Sequence, residues 1–402
     1  MHPYKQFLNR VCRKLKGGTL TLHYWDGSRR RFGRGEPRVS LHLKTPAVVP
    51  RLLLDPELAF GEAYMRGELE VEGRIDDLIR LVGANDGPVP ALVEAAFHGV
   101  ALFSRWRPLA MGANKRDIAH HYDLGNDFYR LWLDPTMTYS CAYFKTPADS
   151  LETAQRQKIA HLLAKLQLQN GDSLLDVGCG WGGLLAAAAR EYDGEGLGIT
   201  LSEEQLSWFD EHLAPELRSR AMVKLQHYHD LAEQVERGRK PFDRVVSVGM
   251  AEHVGRHNLP TYIHDLKKLL KPGGTGVLHL ITNVKEEPTS AWIVKYIFPG
   301  GYIPSLAEIA GEMAKHDLVI YDVENLGQHY ALTLDRWSEN FERHTEWVAA
   351  RYGAEFVRMW RLYLQFSAAS FREEDIYLHQ IVFTHGKPAT YPLTRDFLYR
   401  GA

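Results

Sequence analysis

Ser173-Leu-Leu-Asp-Val-Gly178-Cys-Gly-Trp-Gly-Gly183-Leu-Leu-Ala-Ala-Ala-Ala-Arg190 opens with a short apolar run that ends on Asp176. Such a run, bounded by glycines, reads as a buried strand, and the Ala/Leu-rich segment behind it reads as a helix. Glycine between them permits φ > 0 and close approach of a ligand, and the N–H groups at the helix start point toward that ligand. Strand, glycine turn and helix together make a nucleotide-binding first turn. Gly178, Gly180 and Gly183 satisfy G-x-G-x-x-G, the dinucleotide fingerprint, which also calls for an acid about 20 residues on to hold a ribose. The next expected strand, Gly194–Ile199, ends instead in Thr200-Leu201-Ser202, and the first acid is Glu203, already inside a helix. An NAD-linked oxidoreductase is therefore a distant reading.

The chain has 402 residues, 45% of them apolar and 24% charged, with a net charge of −2. This is a globular composition long enough for two domains. A chain so close to neutrality is no polyelectrolyte, so nucleic acid is not an expected partner. Cys12, Cys141 and Cys179 are far apart and odd in number. They offer neither a disulfide framework nor a zinc site, and no metal is expected. No stretch reaches the length of a membrane span and no apolar leader opens the chain, so a reducing cytoplasm is the expected compartment.

Charge is uneven. Lys5, Arg10, Arg13, Lys14 and Lys16 interleave with Tyr4, Phe7, Leu8, Val11, Cys12 and Leu15 at helical spacing, and Arg29, Arg30, Arg31, Arg34 and Arg38 follow. A basic amphipathic helix of this kind suits an anionic membrane surface, each cation contributing about 1 kcal/mol before screening. It equally suits a helix packed on its own domain with a solvated basic face. Residues 19–25 and 39–43 alternate like strands, with Asp26-Gly27 as a turn signal, and Leu58–Met65 and Ile75–Val82 read as helices around a strand or turn at Gly67–Gly73. Breaks at Gly83–Pro90 and Arg105–Pro108 suggest an N-terminal α+β domain over 1–100, a linker over 101–113 and a second domain over 114–402. In that second domain the residues His120-His121-Tyr122-Asp123 and Tyr139-Ser-Cys-Ala-Tyr143 crowd aromatic, polar and thiol groups in a way typical of a site lining. A long polar helix, Ser150–Leu168, leads into the glycine stretch. Beyond it strands and helices alternate through Ile281, which predicts a doubly wound parallel sheet. An aromatic insertion (Pro288–Pro304), a strand (Leu318–Val323), long helices (Leu334–Phe371) and a last strand (Ile376–Thr384) complete the chain.

Asp176 followed by Gly-Cys-Gly-Trp-Gly-Gly resembles motif I of the S-adenosylmethionine-dependent methyltransferases, which implies a Rossmann-like α/β fold. Tyr139-Ser-Cys-Ala-Tyr143, Gly198-Ile-Thr-Leu-Ser202 with Gln205, Val246-Ser-Val-Gly-Met-Ala-Glu-His-Val-Gly255, Lys295-Tyr-Ile-Phe-Pro-Gly300 and Pro304-Ser305 occur in order around it. The set closely resembles the cyclopropane fatty acid synthases, including the mycolic acid cyclopropane synthases. Gly61-Glu-Ala-Tyr-Met-Arg-Gly67 is similar to the N-terminal domain of the phospholipid-acting members. The resemblance implies methylene transfer from S-adenosylmethionine to a cis double bond of a membrane phospholipid, in a peripheral membrane enzyme that is often a homodimer. An alkene is a weak nucleophile, so the sulfonium methyl must be held in line with the π bond. The resulting carbocation must lose a proton to close the ring, which requires a pocket closed to water.

By the same resemblance the proton acceptor is a bicarbonate ion caged by Cys141, Glu252, His279, Tyr330 and the backbone of Ile281. Read alone, Cys141 fits an inert buried thiol, Glu252 a surface helix cap, and His279 a structural core histidine. Tyr330 has the least distinctive surroundings. For the cofactor, the resemblance assigns Tyr139 and Ser140 to the methionine end, and Asp176, Gly178, Cys179, Gly180 and Gly182 to the acid-and-glycine turn. Thr200, Leu201 and Gln205 fall near the ribose, and Gln226 and His227 near the adenine. His227 stands where related enzymes often place an acid. Trp360, Tyr363 and Phe366 suit an acyl-channel wall or ordinary core packing. Two rival functions stay open: a sibling enzyme making methyl- or methylene-branched chains, and a non-catalytic lipid-binding protein.

Overall fold

The computed structural model describes residues 2–85, 124–373, 376–388 and 391–399. The expected linker, 101–113, and the His120–Asp123 group lie outside them. The described residues form two compact units. The first takes residues up to 85 with Pro288–Ile297 and 334–373; the second takes 124–287, Phe298–Thr333 and the residues from 376 on. The long helices at Leu334–Phe371, expected in the second domain, thus group with the N-terminal strands.

In the first unit, β1 (Gly18–His23), β2 (Arg29–Arg34), β3 (Arg38–Leu43) and β4 (Leu69–Glu72) form a sheet in the order β2-β1-β3-β4. β1 and β2 make an antiparallel hairpin across Asp26-Gly27, while β1 and β3 run parallel. Leu22, Phe32, Leu43 and Leu69 face a core shared with Val48 and Ala63. β2 was not anticipated, because Phe32 alone of Arg29-Arg-Arg-Phe-Gly-Arg34 marks a buried face. The expected basic helix forms over Pro3–Cys12. One of its cations is taken: Lys5 is buried and donates to Asp26 Oδ2 and Ser28 Oγ, both at 2.6 Å. Arg10, Arg13, Lys14 and Lys16 remain exposed.

The first part of the aromatic insertion, Pro288–Ile297, supplies core to this same unit. Trp292, 3% exposed, closes on the Pro56–Met65 helix, its indole N–H directed at Met65 Sδ at 3.2 Å. A β-carbon on Gly61 would stand 2.2 Å from Trp292 Cδ1, so the glycine is dictated by close approach. Helix propensity favours alanine at such a position by about 1 kcal/mol. We expect Gly61→Ala to destabilise the protein instead, by about 1–3 kcal/mol, through overpacking. Denaturant unfolding checks the sign, and a variant as stable as the parent would remove this contact from the account. Trp360 and Tyr363, 1% and 4% exposed, meet edge to face in the same unit with ring centroids 5.2 Å apart, the placement of core residues.

The second unit is built on a seven-stranded sheet. Its strands are β5 (Ser173–Val177), β6 (Glu195–Thr200), β7 (Ala221–Leu225), β8 (Phe242–Val248), β9 (Leu270–Asn283), β10 (Leu318–Asn325) and β11 (Ile376–His385), in the order β10-β11-β9-β8-β5-β6-β7. β5 to β9 are parallel, as expected of strands alternating with helices. β11 is not: it lies antiparallel between β9 and β10.

Alternation sorts the side chains of this sheet. Leu175 and Val177 enter one core with the Leu259–Leu269 helix, while Leu174, Val246, Val277 and Val382 enter another with the Leu151–Leu166 helix. Asp176, His279 and Gln380 therefore point to the second face, under the Leu151–Leu166 helix. The register places Val248, His279, Gln380 and Glu324 in one row across β8, β9, β11 and β10. The helix above, expected to be simply polar, buries Gln155, Lys158, His161 and Lys165 among its leucines. Its polar residues are one stripe, laid on a polar row of the sheet.

Candidate active site

The glycine turn forms the expected geometry. Gly178, Gly180 and Gly182 all have positive φ, 78°, 56° and 80°, and the Gly183–Glu191 helix starts directly behind them. The turn sits where the chain proceeds to β6 on one side of β5 and later to β8 on the other, the place where doubly wound sheets bind ligands.

A cavity opens there, and eleven of the expected cofactor residues line it: Tyr139, Ser140, Asp176, Gly178, Cys179, Gly180, Thr200, Leu201, Gln205, Gln226 and His227. Gly182 is not among the lining residues. It caps the Gly183–Glu191 helix, and a β-carbon on it would fall 2.2 Å from Phe209 Cδ2, so its role is close packing. Thr200 Oγ1 donates to Gln205 Oε1 at 2.6 Å, and Ser202 caps the helix that carries Gln205. His227 is the N-cap of the Tyr228–Glu236 helix, its ring nitrogen accepting from His229 N–H.

The segment carrying Tyr139, Ser140 and Cys141 is pinned from several sides. Gln155 Nε2 donates to the carbonyls of Ser140 (2.8 Å) and Thr138 (3.3 Å), and Lys158 Nζ donates to Ser140 Oγ at 2.9 Å. Ala142 N–H donates to Thr333 Oγ1 and Phe144 N–H to His329 Nδ1, each at 3.0 Å. Cys141 is fully buried and burial raises its thiol. It is a thiol group, not a thiolate nucleophile.

Glu252, on the short Ala251–Val254 helix past β8, accepts from Ile281 N–H through Oε1 at 2.7 Å. Its Oε2 is buried without a partner, and burial lifts the carboxyl to about 7 despite the Ile281 amide. His279, 1% exposed, meets Gln380 Nε2 through Nδ1 at 3.1 Å. Burial keeps its ring neutral, and Nε2 is buried without a partner. An amide N–H donating to Nδ1 places the ring hydrogen on Nε2. The Cys141 thiol reaches Leu326 O at 3.8 Å, and Tyr330 N–H donates to that same carbonyl at 3.1 Å. The structure thus joins Glu252 directly to Ile281, while the Cys141 thiol and the backbone N–H of Tyr330 share the Leu326 carbonyl.

Lys158, Gln155 and Gln380 were missed in the sequence. Their signal is a polar residue at a core position: positions 155 and 158 share a helix face with Leu162, and Gln380 interrupts an apolar strand.

The profile of the mycolic acid cyclopropane synthetase family matches residues 111–381. The chain belongs to that family. It is an S-adenosylmethionine-dependent methyltransferase of the cyclopropane-fatty-acyl-phospholipid synthase kind. A second profile, a domain of unknown function, matches residues 4–89. A probable fatty acid methyltransferase of Pseudomonas putida is 40% identical, the match covering 95% of this synthase-family chain and 96% of the relative. The cyclopropane-fatty-acyl-phospholipid synthase of Escherichia coli K12 is 39% identical over 88% of this chain and 89% of its own. Among solved structures, the mycolic acid cyclopropane synthase CmaA1 complexed with SAH and CTAB is 34% identical, with a TM-score of 0.62 over 67% of this chain and 98% of that one.

Proposed function

We propose that this synthase transfers a methylene group from S-adenosylmethionine to the cis double bond of an unsaturated phospholipid acyl chain, forming a cyclopropane ring. Cys141, Glu252, His279, Tyr330 and the Ile281 amide would hold bicarbonate as proton acceptor. When bound, the cofactor supplies an electrophilic methyl and bicarbonate a base.

The observation that carries the reading is a pair of orphaned atoms. Glu252 Oε2 and His279 Nε2 are buried without partners, and an unpaired buried polar atom is costly unless a ligand completes it. A neutral His279 offers an N–H and a Glu252 carboxyl near its midpoint offers a proton or a lone pair. That set fits a small oxyacid anion. On the cofactor side, Asp176 Oδ1 is likewise buried without a partner, and its carboxyl, raised by burial to about 7, suits a cationic ligand that would draw it back to the carboxylate.

The residues' work is positional. The pinned 138–144 segment fixes one wall of the cavity, the glycine turn presents its N–H groups, and the apolar strands behind His279 exclude water. Mass spectrometry of lipids from cells with and without the protein tests the reading: a gain of one CH2 on unsaturated chains, with upfield ring-methylene proton signals, is expected. The Pseudomonas relative's name favours a second reading, a methyl branch, in which the cofactor's methyl and a hydride from a separate reductant together add CH4 to the alkene and give no upfield signal. No lipid change at all would leave the lipid-binding alternative.

Peripheral docking on the cytoplasmic face of the membrane belongs to the same proposal. Among the described residues no helix is long and apolar enough to cross a membrane. Arg10, Arg13, Lys14 and Lys16 are exposed, and anionic lipid attracts such a cluster by about 1 kcal/mol per cation. Binding to phosphatidylglycerol vesicles should therefore weaken about tenfold or more between low and physiological salt. Salt-independent sedimentation with vesicles would remove the cluster from docking.

A further inference from the structure

The four-stranded sheet of the first unit turns one face to its core and the other outward. Leu22, Leu43 and Leu69 face inward, so His23, His42, Glu70 and Glu72, at the alternate positions of β1, β3 and β4, lie on the outward face. β1 and β3 pair with His23 directly opposite His42, and β4 places Glu70 opposite His42 with Glu72 one outward position further along. The two imidazoles stack, with centroids 4.0 Å apart and planes 11° from parallel. His42 Nε2 meets Glu72 Oε2 at 3.0 Å. Among the described residues, His23, His42 and Glu72 form a group in which one ligand atom from each lies within 4.8 Å of the other two. The three are far apart in the chain, so no ligand spacing announces them. Strand register alone brings them together.

A cross-strand hydrogen bond accounts for His42 and Glu72. It does not account for a second imidazole laid on the first. Two imidazoles and a carboxylate are a donor set for a borderline transition cation, zinc above all, and a poor one for magnesium or calcium, which take oxygen ligands. Zinc bonds of about 2.0–2.2 Å set tetrahedral ligand atoms about 3.3 Å apart. The His42–Glu72 pair is close to that spacing, and the half-buried His23 ring reaches it by a side-chain rotation while the paired strands hold the backbones. Two exposed cations oppose an ion there: Arg29, opposite His23 on β2, and Lys44, just past the end of β3. Both have long side chains that can turn their charge to water.

We infer that His23, His42 and Glu72 form a zinc-class metal site that ties β1, β3 and β4 together on the outward face of their sheet, with a fourth position open to water. The tie from β3 to β4 closes the segment that carries the Val48–Leu54 and Pro56–Met65 helices, a restraint on the unfolded chain. None of the three residues lines the cofactor cavity, so the ion is structural and takes no part in methylene transfer.

The test uses the full chain, dialysed against chelator and then titrated with zinc chloride by calorimetry and with cobalt chloride by visible absorption. Three protein ligands predict one zinc per chain with a Kd on the order of 1–10 µM, far weaker than a closed four-ligand site. Cobalt should give the strong visible bands of four-coordination. Zinc should raise Tm, chelator should reverse the rise, and magnesium should do neither. His23→Gln, His42→Gln and Glu72→Gln should each weaken zinc binding about tenfold or more and remove the rise in Tm. The Glu72 side chain is 69% exposed, so Glu72→Gln gives the readout even where a histidine variant does not fold. Zinc binding in the parent no tighter than about 100 µM overturns the inference. So does tight binding that the folded variants retain, which would place the ion on other histidines or thiols of the chain.

Discussion

Glu252→Gln and His279→Ala are each expected to lower kcat by about 10²–10⁴-fold, the usual contribution of placed acid–base groups. Affinity for S-adenosylhomocysteine should change by less than about threefold in both. The two side chains act from different supports. Glu252 is held by the Ile281 amide, so Gln keeps that bond as an acceptor and loses the carboxyl whose second oxygen is orphaned. His279 is held by Gln380, so Ala removes the ring and leaves the glutamine amide unpaired in a dry sheet. Neither residue needs to touch the adenosyl group for this pattern. Rates on unsaturated phospholipid vesicles, set beside calorimetric affinities, separate chemistry from binding. Near-parental kcat in both variants would dispose of the cage.

The second large effect is on stability. Glu324 on β10 accepts from Lys165 Nζ at 2.5 Å and pairs with His161 Nε2 at 2.6 Å, and the Lys165 side chain is completely buried. Glu324→Gln leaves that ammonium without a counter-charge, so a loss of about 3–5 kcal/mol is expected. Adding Lys165→Met should recover much of it, because the unpaired charge goes too. Burial alone would raise the Glu324 carboxyl, but His161 and Lys165 outweigh it and hold it at about 2. A depressed carboxyl stabilises the fold above its ordinary value of 4.5 and loses that contribution as pH falls toward 2. Both variants lack that carboxyl, so between about pH 4.5 and 2 their stability should fall less steeply than the parent's, with Glu324→Gln starting from the lower stability. Equal stability of parent and Glu324→Gln would mean that water, not Glu324, solvates Lys165.

How much of this was open to reading from residues alone differs by region. The glycine turn, Asp176 and the pocket lining were legible, because a strand–turn–helix unit fixes its own ligand-facing atoms locally. Glu252 and His279 were legible as candidates, but their orphaned atoms depend on Gln380 and Ile281, which come from other strands. β2 hid behind its arginines, since a strand with one buried side chain carries almost no periodicity. The Leu151–Leu166 helix read only as long and polar, and its burial was not legible. Its glutamine, lysines and histidine look like a surface until a second polar row, from three separate strands, is laid beneath them. Gly61 gave no hint of Trp292, which arrives from more than two hundred residues away in the chain.

The reversed strand β11 bears on how the protein is made. Among the described residues it is the last strand, yet it sits inside the sheet, with β9 on one edge and β10 on the other. A nascent chain emerging from the ribosome can zip β5 to β9 in turn, but β10 has no neighbour until β11 has been synthesised and threaded between them. Until then His279 lacks Gln380 and an edge of β9 is open to other chains. A chain interrupted before β11 would therefore expose an edge of β9 and leave His279 without Gln380, an open edge of the kind that pairs with other chains.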